Sequence, residues 1–340
     1  MRAVSIAEDR RLVAGEHPPP APGAGQALLE VAYCGICGSD LHFRDVPELF
    51  PAGTVPGHEM SGRIVALGEG LSSWRLGDRV TVLPFAQCGE CELCRSGQEQ
   101  VCPHAIPDGV GLGTGRPGAY AEQVVVDGRM LFALPDSVDD RAGALTEPLA
   151  VAVRAVEQSG LDPTQPAVVL GAGAIGMLTA LVLADRGFEQ VVLVSRNPAR
   201  AELAASLGLT AVSLDEVPAQ APACVFECAG TPAAARLAVE LVRPLGRVML
   251  VGVSLEPLDL AAPALLFKEV ELHGVLSYSR ANFAAAIEML AQGRIPVEAL
   301  ITATAPLEDA EEMFQTLSAR TNHHLKVLLA PRERAAPAAP

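Results

Sequence analysis

Four cysteines lie close together in the first third of the chain. Cys88, Cys91, Cys94 and Cys102 form the pattern C-x2-C-x2-C-x7-C between two glycine-containing segments. Four thiolates at this spacing can surround one Zn²⁺ ion tetrahedrally, and a complete shell of four cysteines leaves no position for a substrate. The alternative, four reduced cysteines on a loop, is disfavoured because cysteine is usually buried and rarely clustered. The pattern predicts a structural zinc site that holds a loop with little core of its own.

A second, dispersed set of residues could hold a catalytic metal. Cys37 follows a strand that begins near Leu28, His58 precedes the next strand, and Glu147 opens a helix. A catalytic zinc takes three protein ligands of mixed N, S and O type and keeps one position for water or substrate. Cys37, His58 and Glu147 could supply these ligands. Because the three are far apart in sequence, no local spacing proves the site, and a lone histidine before a glutamate is more often an ordinary surface or core residue.

A glycine motif lies at the start of the second half of the chain. Gly171-Ala172-Gly173-Ala174-Ile175-Gly176 reads G-x-G-x-x-G, and it follows an apolar strand pattern and opens a helical one. In this context the motif is typical of a dinucleotide-binding turn. Gly171 would allow the turn, Gly173 would let the backbone approach the pyrophosphate, and Gly176 would permit close packing of the helix. The free N–H groups at the start of the helix would bind the phosphate.

The end of the following strand indicates which dinucleotide is bound. NAD sites of this type place an Asp or Glu about 20 residues beyond the glycines, where it accepts hydrogen bonds from the ribose. Here the residues are Ser195-Arg196-Asn197, with no carboxylate. Ser195 could donate to a 2′-phosphate, Arg196 offers a planar cation, and Arg200 follows one helical turn later. We predict NADP(H). The alternative is NAD held by Asn197, with Arg196 solvated.

The order of predicted elements indicates two kinds of fold. Short strands punctuated by Gly and Pro dominate up to residue 148, with strands near 28–32, 63–67, 79–83 and 122–126. From residue 167 strands and helices alternate, which indicates a parallel, doubly wound sheet. These are strands at 167–170, 190–194, 225–227, 247–251 and 271–275, and helices at 174–186, 198–207 and 232–242.

Periodicity does not decide to which domain the remainder of the chain belongs. Helices near 281–292 and 307–319 and a strand at 325–329 could extend the sheet domain or return to the first domain. Residues 331–340 are rich in Ala and Pro, and we expect them to be disordered.

Composition narrows the function classes. A chain of 340 residues is long enough for two domains, and 50% hydrophobic with 19% charged residues is typical of a globular protein. The formal net charge of −15 argues against a nucleic-acid partner. Charged residues follow Ile6 almost at once, which argues against a secretory signal, and glycines interrupt the uncharged stretch 163–184. We expect a cytoplasmic protein with no membrane partner, whose eight cysteines are metal ligands or reduced core residues.

These motifs together resemble the zinc-containing medium-chain dehydrogenase/reductase family, in the branch of sorbitol, threonine and 2,3-butanediol dehydrogenases. Besides the four cysteines and the glycine motif, the resemblance rests on Cys37-Gly38-Ser39-Asp40-Leu41-His42, Pro56-Gly57-His58-Glu59 and Glu147-Pro148-Leu149, in the family's order. It implies a mostly β, GroES-like catalytic domain over residues 1–148 and 276–340, with an α/β Rossmann domain over 149–275 inserted. It also implies a homotetramer or homodimer.

The resemblance implies a role for each ligand. Cys37 and His58 are the first two ligands of the catalytic zinc, and Glu147 matches the carboxylate that this branch uses as the third. Glu59 either binds the metal in one coordination state or lies beside the ligands and tunes them, and the second role is favoured.

The resemblance also implies a proton path and a basic contact. Ser39 and His42 match a relay that carries the hydroxyl proton to solvent, although His42 could be a solvated loop residue. Lys326 matches a position that often carries a basic contact to the pyrophosphate. An exposed lysine on the last strand is the alternative.

The predicted activity is hydride transfer between a secondary alcohol (a polyol, diol, cyclitol or amino alcohol) and NADP(H). Two zinc ions per subunit are expected, one catalytic and one structural, with a small alcohol or ketone as the partner. One alternative is an NAD-dependent polyol or threonine dehydrogenase of the same family. Others are a zinc-free quinone reductase on the same scaffold and a catalytically silent relative kept for binding. The intact ligand set argues against these last two.

Overall fold

The computed structural model describes residues 1–113, 115–217, 221–258, 260–319 and 322–333. The chain forms two compact units. The first contains Met1–Glu147, Ser279–Gly293 and the chain from Leu300 onwards, and the second contains Pro148–Tyr278 and Arg294–Ala299. The segment 294–299 therefore groups with the second unit, whereas the predicted domain ranges 1–148, 149–275 and 276–340 stay predictions. Of the tail that we expect to be disordered, residues 334–340 lie outside the described residues.

The strands of the described residues are, in chain order, β1 (Arg2–Ile6), β2 (Leu12–Glu16), β3 (Gln26–Gly35), β4 (Glu59–Leu67), β5 (Arg79–Val82), β6 (Gln123–Asp127), β7 (Leu131–Ala133), β8 (Ala167–Leu170), β9 (Val191–Val194), β10 (Thr210–Val212), β11 (Cys224–Glu227), β12 (Arg247–Leu250), β13 (Glu271–Gly274), β14 (Ile301–Ala305) and β15 (Lys326–Leu329).

The α-helices of the same residues are α1 (Gly38–Phe43), α2 (Glu92–Arg95), α3 (Asp140–Ala144), α4 (Thr146–Ser159), α5 (Ala174–Asp185), α6 (Pro198–Ser206), α7 (Pro232–Leu241), α8 (Ala262–Lys268), α9 (Arg280–Ala291), α10 (Val297–Leu300) and α11 (Ala310–Ser318). Short 3₁₀ turns occur at Glu99–Val101, Gly128–Met130, Leu214–Glu216 and Leu307–Asp309. No helix in the described part of the chain is both long enough and apolar enough to cross a membrane.

A mainly antiparallel sheet dominates the first unit. In the described residues its order is β14-β15-β3-β4-β5-β7, with β6 also paired to β3. In the register of β3 with β4, Gly35 lies opposite Glu59. A Cβ atom on Gly35 would fall 2.0 Å from Glu59 Oε2, so only glycine leaves room for that carboxylate. The ends of β3, β4 and β15 meet here, at the edge of a core that includes Met60, Ile64 and Phe314.

A parallel sheet forms the second unit. Its order in the described residues is β10-β9-β8-β11-β12-β13. The central strands β8 and β11 are buried throughout, as expected for strands covered on both faces. Their register aligns Leu170 with both Val194 and Glu227, so the carboxyl ends of three strands lie side by side. The predicted combination of a doubly wound Rossmann sheet with a mostly β, GroES-like domain is confirmed.

Candidate metal centres and nucleotide site

The four clustered cysteines lie together in the first unit. One sulfur from each of Cys88, Cys91, Cys94 and Cys102 lies within 4.8 Å of the other three, and all four are free thiols. The sulfur atoms of Cys88 and Cys94 are 3.8 Å apart, and those of Cys102 and Cys88 are 3.6 Å apart. Four ligands at Zn–S distances of about 2.3 Å occupy tetrahedron corners about 3.8 Å apart. The sulfur positions therefore fit a zinc ion.

Backbone amides help these sulfur atoms to carry negative charge. The N–H of Cys91 donates to Cys88 Sγ at 3.3 Å, and the N–H of Cys94 donates to Cys91 Sγ at 3.4 Å. Backbone hydrogen bonds from Glu90 and Cys91 lower the pKa of Cys88 to about 6, whereas burial raises the pKa of Cys94 to about 12. A bound dication favours the thiolate in both cases. Because α2 buries none of its residues, the lobe depends on the cysteine cluster for its shape.

A second group of metal-binding side chains lies where β3, α1 and β4 meet. Cys37 directly precedes α1, His58 directly precedes β4, and Glu59 is its first residue. One ligand atom of each lies within 4.8 Å of the other two, and His58 and Glu59 are only 5% and 1% exposed. One sulfur, one nitrogen and one oxygen form the mixed donor set of a catalytic zinc with an open position. The residues present therefore fit the metal.

The third ligand of this cluster stays a prediction. We expect Glu147 from the sequence as the third ligand, with Glu59 beside the metal. In the structure Glu59 joins Cys37 and His58, and Glu147 is outside the group. Glu147 is buried in the first turn of α4 and acts on Lys326 through its charge. Glu59 reaches the cluster because it follows His58 directly and β4 holds it at the end of β3.

Asp40 organises the cluster, a role that our sequence reasoning did not assign. Its carboxylate is fully buried, with Oδ1 3.4 Å from Nδ1 of His58. The other oxygen, Oδ2, accepts hydrogen bonds from the N–H of Cys37 at 3.1 Å and from the Tyr120 hydroxyl at 2.7 Å. A carboxylate on one ring nitrogen orients a metal-binding histidine and strengthens it as a ligand. The signal in the sequence was the position of Asp40, third in α1, where an acid caps the helix start.

The charges around His58 keep it basic. Burial pushes the pKa of His58 down, but the carboxylate of Asp40 and the sulfur of Cys37 outweigh burial and raise that pKa well above its usual value. Tyr120 supports the same region from behind. Gly57 has a φ of +103°, and a Cβ there would lie 2.4 Å from the Tyr120 ring. Glycine therefore allows the ring to pack against the backbone directly before His58.

Lys326 forms a buried ion pair with Glu59. Its Nζ donates to the two carboxylate oxygens of Glu59 at 2.7 and 2.6 Å and to the carbonyl of Ile36 at 3.0 Å. All three donors of the ammonium group are thereby used. Burial lowers the pKa of Lys326, but the charges of Glu59 and Cys37 outweigh it and raise that pKa. The alternative of an exposed lysine is wrong, because the side chain is 3% exposed, and the contact with the pyrophosphate stays a prediction.

Ser39 and His42 lie on one side of α1. The Ser39 hydroxyl donates to Cys37 Sγ at 3.1 Å. His42, three residues later and thus on the same face of the helix, is exposed in its last turn. The two residues span from the metal-binding cluster to solvent, and their proton relay stays a prediction.

The glycine motif occupies the turn between β8 and α5. Gly171 has a φ of +101°, which favours glycine, and Gly173 is the N-cap of α5. A Cβ on Gly176 would lie 1.8 Å from the carbonyl oxygen of Gly171, whereas a Cβ on Gly173 would meet no atom within 4 Å. Gly176 thus allows the helix to start against the turn, and Gly173 faces open space. The remaining residues of the motif are Ala172 in the turn and Ala174 and Ile175 in the first turn of α5.

The turn after β9 contains the residues predicted to bind the ribose. The Ser195 hydroxyl is buried, donates to the carbonyl of Asn197 at 2.9 Å and accepts from its N–H at 3.1 Å. Ser195 therefore stabilises the turn, and its donation to a 2′-phosphate stays a prediction. Arg196 is exposed. Arg200 lies in the first turn of α6, where burial lowers its pKa.

Comparison with known proteins places the chain in a family. Residues 23–136 match the alcohol dehydrogenase GroES-like domain, and residues 174–292 match the zinc-binding dehydrogenase domain. The 2-dehydro-3-deoxy-L-galactonate 5-dehydrogenase of Pseudoalteromonas atlantica is 35% identical over 312 residues, covering 87% of this chain and 89% of that protein. The sorbitol dehydrogenase of Halalkalibacterium halodurans is 31% identical over 330 residues, covering 93% and 94%.

Solved structures agree with this assignment. A structure from Sinorhizobium meliloti, described as a zinc-binding dehydrogenase bound to NADP, has a TM-score of 0.87 at 28% identity, covering 97% of this chain and 99% of that chain. An Escherichia coli alcohol dehydrogenase in complex with NADH has a TM-score of 0.88 at 29% identity, with the same coverage. The chain therefore belongs to the zinc-containing medium-chain dehydrogenase/reductase family, in its sorbitol dehydrogenase-like branch, and is an oxidoreductase that acts on CH–OH groups.

Proposed function

We propose that this enzyme transfers a hydride between a secondary alcohol carbon of a polyol, sugar acid or related diol and NADP(H). The observation that carries the proposal is the Cys37–His58–Glu59 cluster, in which His58 and Glu59 are buried and the Ser39 hydroxyl donates to the sulfur of Cys37. The mixed donor set leaves an open position, as a catalytic centre requires. The glycine turn of the second unit supports the nucleotide side of the reaction.

The residues of the chain have distinct tasks in this reaction. Cys37 and His58 would hold the catalytic zinc with Glu147 as the third ligand, and Glu59 would lie beside them or bind in one coordination state. Zinc, when bound, makes the alcohol easier to deprotonate. Ser39 would accept the hydroxyl proton, and His42 at the exposed end of α1 would pass it to water. A bound nicotinamide cofactor would supply the acceptor of the hydride.

The substrate class is proposed from the relatives. The chain belongs to a group of polyol and sugar-acid dehydrogenases, whose substrates carry neighbouring hydroxyl groups. We infer a substrate with a secondary hydroxyl and at least one further polar group. Cyclitols and amino alcohols are included in this proposal.

The preference for NADP is supported by charge at the ribose end of the site. The turn after β9 carries no carboxylate that would repel a 2′-phosphate, and the guanidinium of Arg196 is exposed there. NAD is the alternative cofactor.

A screen of polyols, sugar acids, cyclitols, diols and amino alcohols with both cofactors tests the proposal, with nicotinamide absorbance as the readout. We expect turnover with at least one of these classes and a higher kcat/KM with NADP than with NAD. A higher value with NAD contradicts the cofactor assignment. No turnover of any secondary alcohol by zinc-loaded protein contradicts the substrate class.

A pair of variants tests the residues involved. Ser195→Asp combined with Arg196→Ala introduces the missing acid and removes the cation, so the kcat/KM ratio should shift toward NAD by roughly tenfold or more. Arg186→Ala, which removes another exposed arginine of the second unit, should leave the ratio unchanged. Equal effects of the two changes would show that Arg196 has no special role.

We further propose two zinc ions per subunit, a cytoplasmic location and a homo-oligomer. The two separate ligand clusters support the zinc count, and eight unpaired cysteines suit a reducing compartment. Exposed apolar side chains lie beside the edge strand β13 of the parallel sheet, among them Leu266, Phe267 and Leu276. An edge strand with such side chains beside it is suited to pairing with a second copy of the chain.

A further inference from the structure

Glu227 is a buried acid that the proposed chemistry does not use. It is the last residue of β11, is 2% exposed, and lies opposite Leu170 at the end of β8. Gly171, the first residue of the glycine motif, follows Leu170 directly. A buried carboxylate at this position requires an explanation, because an ionised group loses its hydration when it is buried.

The carboxylate of Glu227 holds the turn that follows its own strand. Its Oε1 accepts hydrogen bonds from the N–H groups of Ala229 and Gly230, both at 2.8 Å. The backbone of Thr231 interacts with the same carboxylate, and Thr231 is the N-cap of α7. One side chain therefore connects β11, the turn of residues 228–230 and the start of a helix.

This turn packs tightly against the glycine motif. A Cβ on Gly171 would lie 3.0 Å from both the Cβ and the N of Ala229, and a Cβ on Gly176 would lie 3.4 Å from the Cβ of Cys228. Because these positions leave little room for even a Cβ atom, a shift of the 228–230 turn toward the glycine motif would displace the motif, and a shift away would open a gap beside it.

The opposite side of the turn is equally constrained. Gly230 has a φ of +64°, and a Cβ there would lie 2.5 Å from the carbonyl oxygen of Val253. A Cβ on Gly252 would lie 2.2 Å from the N of Gly230. The turn is thus confined between two backbone segments, with the hydrogen bonds to Glu227 fixing its position between them.

We propose that Glu227 is a positioning residue for the dinucleotide, whose ionised carboxylate holds the 228–230 turn against the glycine motif in the shape that the cofactor needs. The inference rests on the proposed nucleotide binding by that motif. It makes cofactor affinity depend on a charge that does not touch the cofactor.

The buried charge of Glu227 should affect fold stability and cofactor affinity in opposite directions. Burial raises the pKa of Glu227, although the backbone hydrogen bonds from Gly230 and Ala229 act to lower it. An acid whose pKa is raised on folding stabilises the fold below its unfolded pKa and loses that contribution as the pH rises. The ionised carboxylate at neutral pH therefore lowers fold stability while it strengthens the bonds to the turn.

Few charges surround Glu227. The titratable group that interacts with it is the thiol of Cys228, whose pKa is raised by burial and further by the charge of Glu227. Among the described residues, no charged side chain contributes to the pKa of Glu227. A change of cofactor affinity with its ionisation can therefore be assigned to this carboxylate.

The test compares the zinc-loaded wild type with Glu227→Gln and with the matched control Glu271→Gln. Glu271 is 64% exposed on β13 of the same unit, where it pairs with Arg247. The dissociation constants of NADPH and NADH are measured by nicotinamide fluorescence, and the melting temperature is recorded without cofactor.

Glu227→Gln replaces two charge-assisted hydrogen bonds with weaker neutral ones, so we expect both dissociation constants to rise roughly tenfold. Its melting temperature should not fall below that of the wild type, and Glu271→Gln should leave affinity unchanged.

A pH series completes the test. As the pH is lowered from the neutral range, the affinity advantage of the wild type over Glu227→Gln should shrink because the carboxylate is protonated. The titration of the cofactor itself is common to both proteins and cancels in their ratio. Equal cofactor affinity of the wild type and Glu227→Gln overturns this inference but not the proposed function. A melting temperature of Glu227→Gln that falls together with its affinity also overturns the inference, because it would indicate general damage to the fold. A wild type that binds neither dinucleotide overturns the proposed function together with this inference.

Discussion

Each ligand of the candidate catalytic cluster is held by a neighbouring side chain. Asp40 contacts His58 and Cys37, and Lys326 binds Glu59. These neighbours are buried, so the geometry of the ligands depends on side chains that do not themselves reach the metal position.

Replacing Asp40 by Asn should weaken metal binding without unfolding the protein. The amide keeps the size of the side chain but removes the charge beside His58, and loss of such a partner lowers metal affinity about 10–100-fold. Zinc affinity is measured by competition with a chromophoric chelator. Asp45→Asn is the control, because Asp45 is exposed and pairs with Arg44. Unchanged zinc affinity in Asp40→Asn would contradict the role assigned to this carboxylate.

Ser39→Ala should slow alcohol oxidation far more than it weakens cofactor binding. The hydroxyl lies 3.1 Å from Cys37 Sγ, in the proposed proton path, and loss of a positioned proton-transfer group costs roughly 100-fold or more in rate. Steady-state kcat and the dissociation constant of NADPH are compared between the two proteins. A parallel loss in both quantities would point to a folding defect.

The sequence predicted only some of the residues that form the site. Cys37 and His58 belong to short motifs, so their chemistry was visible in the sequence. Tyr120 and Lys326 were not assigned to the cluster, because Tyr120 is 80 positions from Asp40 and Lys326 is 267 positions from Glu59. Contacts at such separations are created by the register of the sheet, which no local pattern reveals.

At the scale of elements, the four-cysteine lobe and the catalytic cluster should respond differently to the same substitution. Cys91→Ser opens the structural shell of a loop whose helix α2 buries nothing. A loss of about 3 kcal/mol would lower the melting temperature by roughly 10 °C, or the protein would become insoluble. Cys37→Ser should leave the fold intact and abolish turnover. Calorimetry and activity measurements separate the two outcomes, and a fully stable Cys91→Ser protein would argue against a structural metal.

Elements with strong local patterns were predicted well. The unit of β8, α5 and β9 was expected within one residue of its observed bounds, because a continuous apolar run precedes the glycine motif. The β1–β2 hairpin, β10, β14 and α8 were not predicted. These segments are short, and their stability comes from pairing and packing partners elsewhere in the chain. Residues 307–309 were expected to be α-helical, but they form a 3₁₀ turn before α11.

At the scale of the whole molecule, the apolar surface beside β13 provides a test of assembly. Phe267 is 84% exposed, and Leu266 beside it is also exposed. Placing a charge there should oppose the burial of this surface against a second copy. Phe267→Glu should therefore reduce the sedimentation coefficient of the wild-type oligomer to that of a smaller species. Leu76→Glu, at an exposed apolar position in the first unit, is the control. Identical sedimentation of wild type and Phe267→Glu would exclude this surface as the interface.

The ion pair of Lys326 with Glu59 also has a consequence for the order of synthesis. During translation, Cys37, His58 and Glu59 emerge from the ribosome early. Lys326 on β15, the ion-pair partner of Glu59, emerges only after the whole of the second unit. Until Lys326 emerges, the carboxylate of Glu59, which is buried in the folded protein, has no counter-ion. The second unit, whose sheet in the described residues contains only β8 to β13, can complete that sheet during translation. The first unit can be completed only after β15 has been synthesised.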